Sequence, residues 1–255
     1  MPMIKAIIIA FSMYSKIPMP QFEWKDEDMK YMLCFFPWIG AVIGGCVYLW
    51  GMICEKQEIN LLCYTLIGTA IPLFLTGGFH VDGFMDTMDA FCSYQPRERK
   101  LEILKDSHIG AFGVIRLGVY GLIYMAAFSE VQDKNLLRIV CAGFFLSRCL
   151  SGISVVSLPP AKKEGLLYLF SNKAGKHVVK ISLYFQGILC VFFMLKSSFI
   201  GGISVLVAAI STFVYYHYRT RKELGGITGD TAGYFLLLCE GSILVVAAVI
   251  NVIRR

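Results

Sequence analysis

Three aspartates carry the most explicit chemistry in this sequence. The run Gly77-Gly78-Phe79-His80-Val81-Asp82-Gly83-Phe84-Met85-Asp86-Thr87-Met88-Asp89 sets Asp82, Asp86 and Asp89 at i, i+4 and i+7. On a helix these positions fall within about 60° of one another. Three like charges on one face repel, and no Lys or Arg occurs between Gly77 and Tyr94 to balance them. A hard divalent cation with oxygen ligands, Mg²⁺ or similar, is the compensation such a face calls for. The alternative is a solvated acidic face, or acids favoured by a helix N-terminus. The missing cations weigh against it.

Two further runs extend the set. In Lys105-Asp106-Ser107-His108-Ile109-Gly110-Ala111-Phe112-Gly113, Asp106 either joins the metal or caps the next helix, and Ser107 is an equally good cap. Lys105 and His108 suit phosphate contact, with a structural His108 as the plainer reading. Gly225-Gly226-Ile227-Thr228-Gly229-Asp230-Thr231-Ala232-Gly233 is a loop whose backbone N–H groups can cradle a phosphate at a helix N-terminus. It lacks the Gly-Lys-Ser/Thr ending of a Walker A loop. Its plainer reading is a turn with Thr228 or Asp230 as helix cap. Arg148 and Glu240 stand inside apolar runs, where a charge is costly unless paired or used. Arg148 meets a phosphate or pairs with an acid, and the sequence leaves both open. A metal site, cations and a glycine loop together are the toolkit of phosphoryl transfer.

These residues need elements to position them. Of 255 residues, 56% are hydrophobic and only 16% charged. A soluble domain averages roughly 25% charged residues, so the default is an integral membrane protein. Disorder is excluded by the apolar composition. Nucleic-acid binding is not expected, because the net charge of +6 is spread thinly with no basic arm. A spanning helix needs about 20 apolar residues. Seven candidates appear, near 31–54, 59–78, 109–129, 137–157, 178–195, 198–217 and 233–253. The expected fold is therefore an all-α, polytopic membrane helix bundle in a single domain, 1–255, with short interfacial helices. The Gly-rich stretch 39–51 suits close helix contacts. The N-terminal MPMIKAIIIAFSMYSKIPMP reads as a retained re-entrant or interfacial segment rather than a signal peptide, since Pro18 and Pro20 break its short apolar run. The nine cysteines include no C-x-x-C pair and read as reduced thiols within packed helices.

The long polar connections are 79–108, 158–177 and 218–232. Together with the N-terminal segment, and with Lys180 just past the second connection, they hold sixteen Lys and Arg, against six on the other side. The positive-inside bias places the N-terminus and the three acidic, histidine and glycine motifs in the cytoplasm.

GGFHVDGFMDTMDAF, KDSHIGAFGV and GGITGDTAG resemble, in order, three signatures of the cobalamin 5′-phosphate synthase (adenosylcobinamide-GDP ribazoletransferase) family. Weaker matches are Ser15-Lys16-Ile17-Pro18, Phe36-Pro37-Trp38-Ile39-Gly40, Ser147-Arg148, Pro160-Ala161-Lys162 and Gly165-Leu166, so that the likeness covers residues 14 to 240. The chain departs at Ser15-Lys16, where the family usually has Thr-Arg; Lys cannot form the bidentate phosphate fork. It also has Lys162-Lys163-Glu164 where a lone Arg or Lys is usual.

The resemblance implies a multi-pass enzyme of a bacterial or archaeal inner membrane, acting late in cobalamin assembly. Adenosylcobinamide-GDP and α-ribazole, or its 5′-phosphate, would be the substrates, Mg²⁺ the cofactor and GMP the leaving group. It implies Asp82 and Asp86 as Mg²⁺ ligands, with Asp89 completing the site or acting as base. Asp106 and Asp230 are further metal or substrate ligands. Lys105, His108 and Arg148 neutralise phosphates, and His80, Gly225, Gly226, Thr228 and Gly229 contact substrate. The oligomeric state stays open.

Two other readings compete. A CDP-alcohol-type phosphotransferase shares the reaction class, but its D-G-x-x-A-R and G-x-x-x-D-x-x-x-D spacing is missing here. An ion-coupled transporter using Asp82, Asp86, Asp89 and Glu240 would want its acids at the midplane and an inverted repeat, and no repeat is visible.

Overall fold

The computed structural model describes residues 2–25, 27–162, 167–168 and 175–255. Of the family-like positions, Lys163, Glu164, Gly165 and Leu166 lie outside the described residues, as does Lys173 of the charge count. The described helices are α1 (Pro2–Tyr14), α2 (Phe36–Lys56), α3 (Leu61–Thr76), α4 (Phe79–Cys92) and α5 (Arg97–Ile103), then α6 (Ala111–Glu130), α7 (Lys134–Ser157), α8 (Lys176–Ser197), α9 (Phe199–Leu224) and α10 (Gly229–Arg254). Among the described residues there is no strand. A lone bridge pairs Pro160 with Ile227.

The expected membrane bundle is what the chain forms. Helices α2 and α6–α10 are each long and apolar enough to cross a membrane. The remaining expected span, 59–78, becomes the 16-residue α3, which meets α4 at a bend of 92°. Two adjacent glycines make that bend: Gly77 and Gly78 sit in left-handed conformation, at φ 65° and 77°. A side chain there would be strained, so the helix stops and restarts in a new direction. The three aspartates thus leave the line of the span and lie on a separate helix beside it. Helices α1, α4 and α5, of 13, 14 and 7 residues, are the shorter pieces beside these spans.

Helix α7 is the buried centre of the bundle. Gly40 and Gly44 of α2 press directly on its backbone at Phe144 and Cys141, the close contact the Gly-rich stretch led one to expect. Helix α8 turns Phe185, Ile188 and Phe192 outward, an exposed apolar face that suits lipid rather than water. Helix α1 packs on the bundle through Ala6, Ile9 and Ala10, and the Lys16 N–H donates to the Leu75 carbonyl at 2.8 Å. All nine cysteines are free.

Candidate active site

The site begins where α4 crosses the N-terminal end of α10. Gly83 faces the main chain of Asp230: a Cβ at Gly83 would stand 2.8 Å from the Asp230 carbonyl oxygen. One turn further along α10, a Cβ at Gly233 would stand 3.0 Å from the His80 carbonyl oxygen. The helices touch backbone to backbone because neither glycine has a side chain. Phe84 and Phe91 of α4 pack on the Tyr234 ring at 5.8 and 5.7 Å and fix the rotation. Asp82, Asp86 and Asp230 therefore share one region. Burial, then the charges of Asp82, Asp230 and Asp89, push the Asp86 carboxyl up to about 6.

The α10 start is a capping box. The Thr228 hydroxyl accepts from the Thr231 N–H at 3.2 Å, and the Thr231 hydroxyl accepts from the Thr228 N–H at 2.8 Å. Thr228 also donates to Asp230 Oδ2 at 3.3 Å. Thr228, rather than Asp230, is the cap, and Asp230 lines the cavity with one carboxylate oxygen bonded to Thr228.

A cavity of about 450 Å³ lies in front of this crossing and gathers His80, Asp82, Lys105, Thr228, Gly229 and Asp230. Lys105 reaches it because α5 is pinned to the end of α9: Lys100, itself buried, pairs with Glu223. Lys162 also lines the cavity. Its segment is held by the bridge, in which Ile227 N–H donates to Pro159 O at 3.0 Å and Ala161 N–H to Ile227 O at 2.8 Å. Sequence reasoning did not single out Tyr14, Ser151 or Val155, which also line the cavity. The i, i+4, i+8 spacing of Ser147, Ser151 and Val155 on α7 is the one signal that marks an inward face there.

Other expected site residues stand elsewhere. Asp89 has both oxygens engaged: Oδ2 accepts from Gly110 N–H at 2.9 Å and Oδ1 from Gly113 N–H at 3.0 Å. A carboxylate here caps the start of α6. Asp106 accepts from the His108 N–H at 3.0 Å and lies 2.7 Å from His108 Nδ1. That backbone bond, then the ring, holds the Asp106 carboxyl below its ordinary range. Both side chains are exposed and outside the cavity.

Arg148 is 1% exposed and pairs with Glu240 at 2.7 Å. The Ser147 hydroxyl donates to the same Glu240 oxygen at 3.0 Å. Of the two readings the sequence left open, the structure has the ion pair. Arg148 and Glu240 line a second cavity of about 350 Å³ between α3 and α6, separated from the first by His80, which lines both. Gly225 ends α9 at φ 74°, and Gly226 packs on the Pro159–Ala161 backbone. Gly226 shapes the bridge, Gly225 faces the Arg97 side chain, and neither lines the large cavity.

Among the described residues, no three His, Cys, Asp or Glu side chains already stand in metal-binding array. The donor chemistry nonetheless fits a hard cation. Asp82, Asp86 and Asp230 offer only carboxylate oxygens, and their mutual repulsion, felt at Asp86, is what a divalent ion relieves. These side chains have to turn toward one another to close on it.

Comparison with known proteins agrees with the motif likeness. The model of the cobalamin-5-phosphate synthase family matches residues 6–248. An adenosylcobinamide-GDP ribazoletransferase of Lachnoclostridium phytofermentans is 43% identical over 240 residues, 94% of this chain and 92% of that protein. One of Clostridium perfringens is 36% identical, covering 92% and 94%, and one of Treponema denticola is 34% identical, covering 97% and 99%. No solved structure matches. With its three motifs meeting around one α4–α10 crossing and the family model spanning almost its whole length, the chain belongs to the cobalamin-5-phosphate synthase family.

Proposed function

We infer that the chain is an adenosylcobinamide-GDP ribazoletransferase of cobalamin synthesis, as its relatives are named. The observation that carries the site-level reading is one cavity in which Asp82 and Asp230 stand with Lys105 and Lys162. Acids for a cation and cations for phosphates meet there. Adenosylcobinamide-GDP is the donor, and α-ribazole or its 5′-phosphate is the acceptor. A ribose hydroxyl oxygen attacks the phosphorus attached to cobinamide. The new P–O bond forms as the P–O bond to the GMP phosphate breaks, and GMP leaves with the electron pair. The proton of the attacking hydroxyl passes to a carboxylate of the cluster.

Asp82, Asp86 and Asp230 are the residues that would hold Mg²⁺. When bound, the ion supplies charge neutralisation on the diphosphate. Lys105 and Lys162 hold phosphate oxygens. We assign Asp89 the positioning of the α6 start through Gly110 and Gly113. The charge bias of the connections supports a cytoplasmic site at a bacterial or archaeal inner membrane.

The test is a membrane-fraction assay with adenosylcobinamide-GDP, α-ribazole phosphate and Mg²⁺, read as GMP release and corrinoid product. Product that disappears with EDTA and in Asp82→Ala is expected. Unchanged turnover in Asp82→Ala removes that residue from the site.

A further inference from the structure

The large cavity is lined by two unlike sets of residues. Asp82, Asp230, Thr228, Lys105 and Lys162 are polar lining residues contributed by α4, α10 and the connections between helices. The rest is mainly apolar: Leu33, Phe36, Leu104, Val155 and Leu236. Three rings crowd its wall, with Tyr14 4.5 Å from Phe36 and 6.2 Å from His80, centroid to centroid. Ser151 and His80, with the Tyr14 and Tyr168 hydroxyls, add polar atoms to this lining, and His80 Nε2 has no hydrogen-bond partner.

We propose that the apolar part is the acceptor subsite: it takes the benzimidazole ring of the ribazole edge-in, leaving the ribose at the aspartates and the guanosine and corrinoid of the donor outside the cavity. This rests on the activity inferred above and assigns which substrate the apolar lining takes. The physical reason is desolvation. A benzimidazole is a flat, largely apolar bicycle with one free ring nitrogen in its riboside. Burying it against aromatic and aliphatic walls is favourable, and one imidazole suffices for one ring nitrogen. Guanine carries donors and acceptors on two edges, and each would be stranded there at a cost. Size points the same way. A cavity of about 450 Å³ is at the small end of ligand sites and holds a bicyclic base, not a corrinoid macrocycle.

The placement predicts a split between substrates. Val155→Phe narrows the cavity from α7, a helix that carries none of the aspartates. It is expected to raise KM for α-ribazole about tenfold or more, with KM for adenosylcobinamide-GDP within about twofold of wild type. Ser151→Val, a smaller change on the same face, is expected to shift the same constant in the same direction by less. Direct titration of α-ribazole and, separately, GDP into the detergent-purified full chain reads the same split without turnover. Loss of α-ribazole binding with GDP binding kept supports the subsite. A larger effect on the donor, equal effects on both, or no effect on either in a monodisperse variant overturns it. Wild-type turnover is measured first: absence of GMP release from folded wild-type protein withdraws the inferred activity and this placement with it. GMP release with the wrong KM pattern withdraws the placement alone.

Discussion

Asp89 and Gly110 lie twenty-one residues apart and are joined by a 2.9 Å hydrogen bond from the Gly110 N–H to Asp89 Oδ2. The last of the three helical aspartates is thereby tied to the glycine motif that follows. A Cβ on Gly110 would run into this carboxylate, so the glycine is required by close approach. Losing a cap of this kind costs about 1–2 kcal/mol. Asp89→Ala is expected to lower the thermal midpoint in detergent accordingly, and Asp89→Asn, which keeps one acceptor oxygen, to recover part of it. Mg²⁺ affinity by calorimetry is expected to stay within a few-fold in Asp89→Asn. A collapse of Mg²⁺ affinity in that variant would make Asp89 a ligand after all.

Arg148 and Glu240 form a pair that is almost wholly buried, with side chains 1% and 11% exposed. Removing one partner leaves the other charge alone in an apolar bundle, at a cost of about 3–5 kcal/mol. Glu240→Gln and Arg148→Met are each expected to destabilise severely. The double variant Arg148→Met/Glu240→Gln should cost much less than their sum. Additive losses would show that the two residues act separately.

Gly83 is where α4 rests on the Asp230 main chain. Gly83→Ala forces the helices apart and shifts Asp82 and Asp86 relative to Asp230. A misplacement of this order lowers turnover about a hundredfold. The variant is expected to fold and insert, with turnover lost. Wild-type turnover in Gly83→Ala would show that the crossing tolerates the shift.

Asp86 gives the site its pH dependence. With no cation bound its carboxyl is raised from the ordinary 3.8 to about 6. The folded, metal-free protein thus holds this proton more tightly than the unfolded chain does. Its stability falls as pH rises from about 4 to about 6, because ionising Asp86 charges a partly buried group and then sets it against its acidic neighbours. Mg²⁺ has to displace the proton, so its affinity is expected to weaken roughly tenfold per unit below pH 6. Calorimetry at pH 5 and pH 7 checks this. A flat profile would place the cation away from Asp86.

Composition and hydropathy alone determined that the chain is a helical membrane bundle, because apolar runs of spanning length have few other stable fates. Local spacing determined that Asp82, Asp86 and Asp89 share a helix face and that the glycine loop starts a helix, since both are properties of backbone within a few turns. What spacing could not fix is the partner across the bundle. Arg148 had two open readings because Glu240 lies ninety-two residues away. Asp89 looked like its neighbours until Gly110 and Gly113 were brought to it. Tyr14, Ser151 and Val155 come from two helices whose shared cavity exists only after α1 and α7 have packed. The bend at Gly77-Gly78 is written locally, but its consequence, α4 laid across the α10 start with Asp230 beside Asp86, is decided only by side chains far apart in sequence. Helix identity follows from neighbours along the chain; which charges are paired, and which are left for chemistry, follows from neighbours in space.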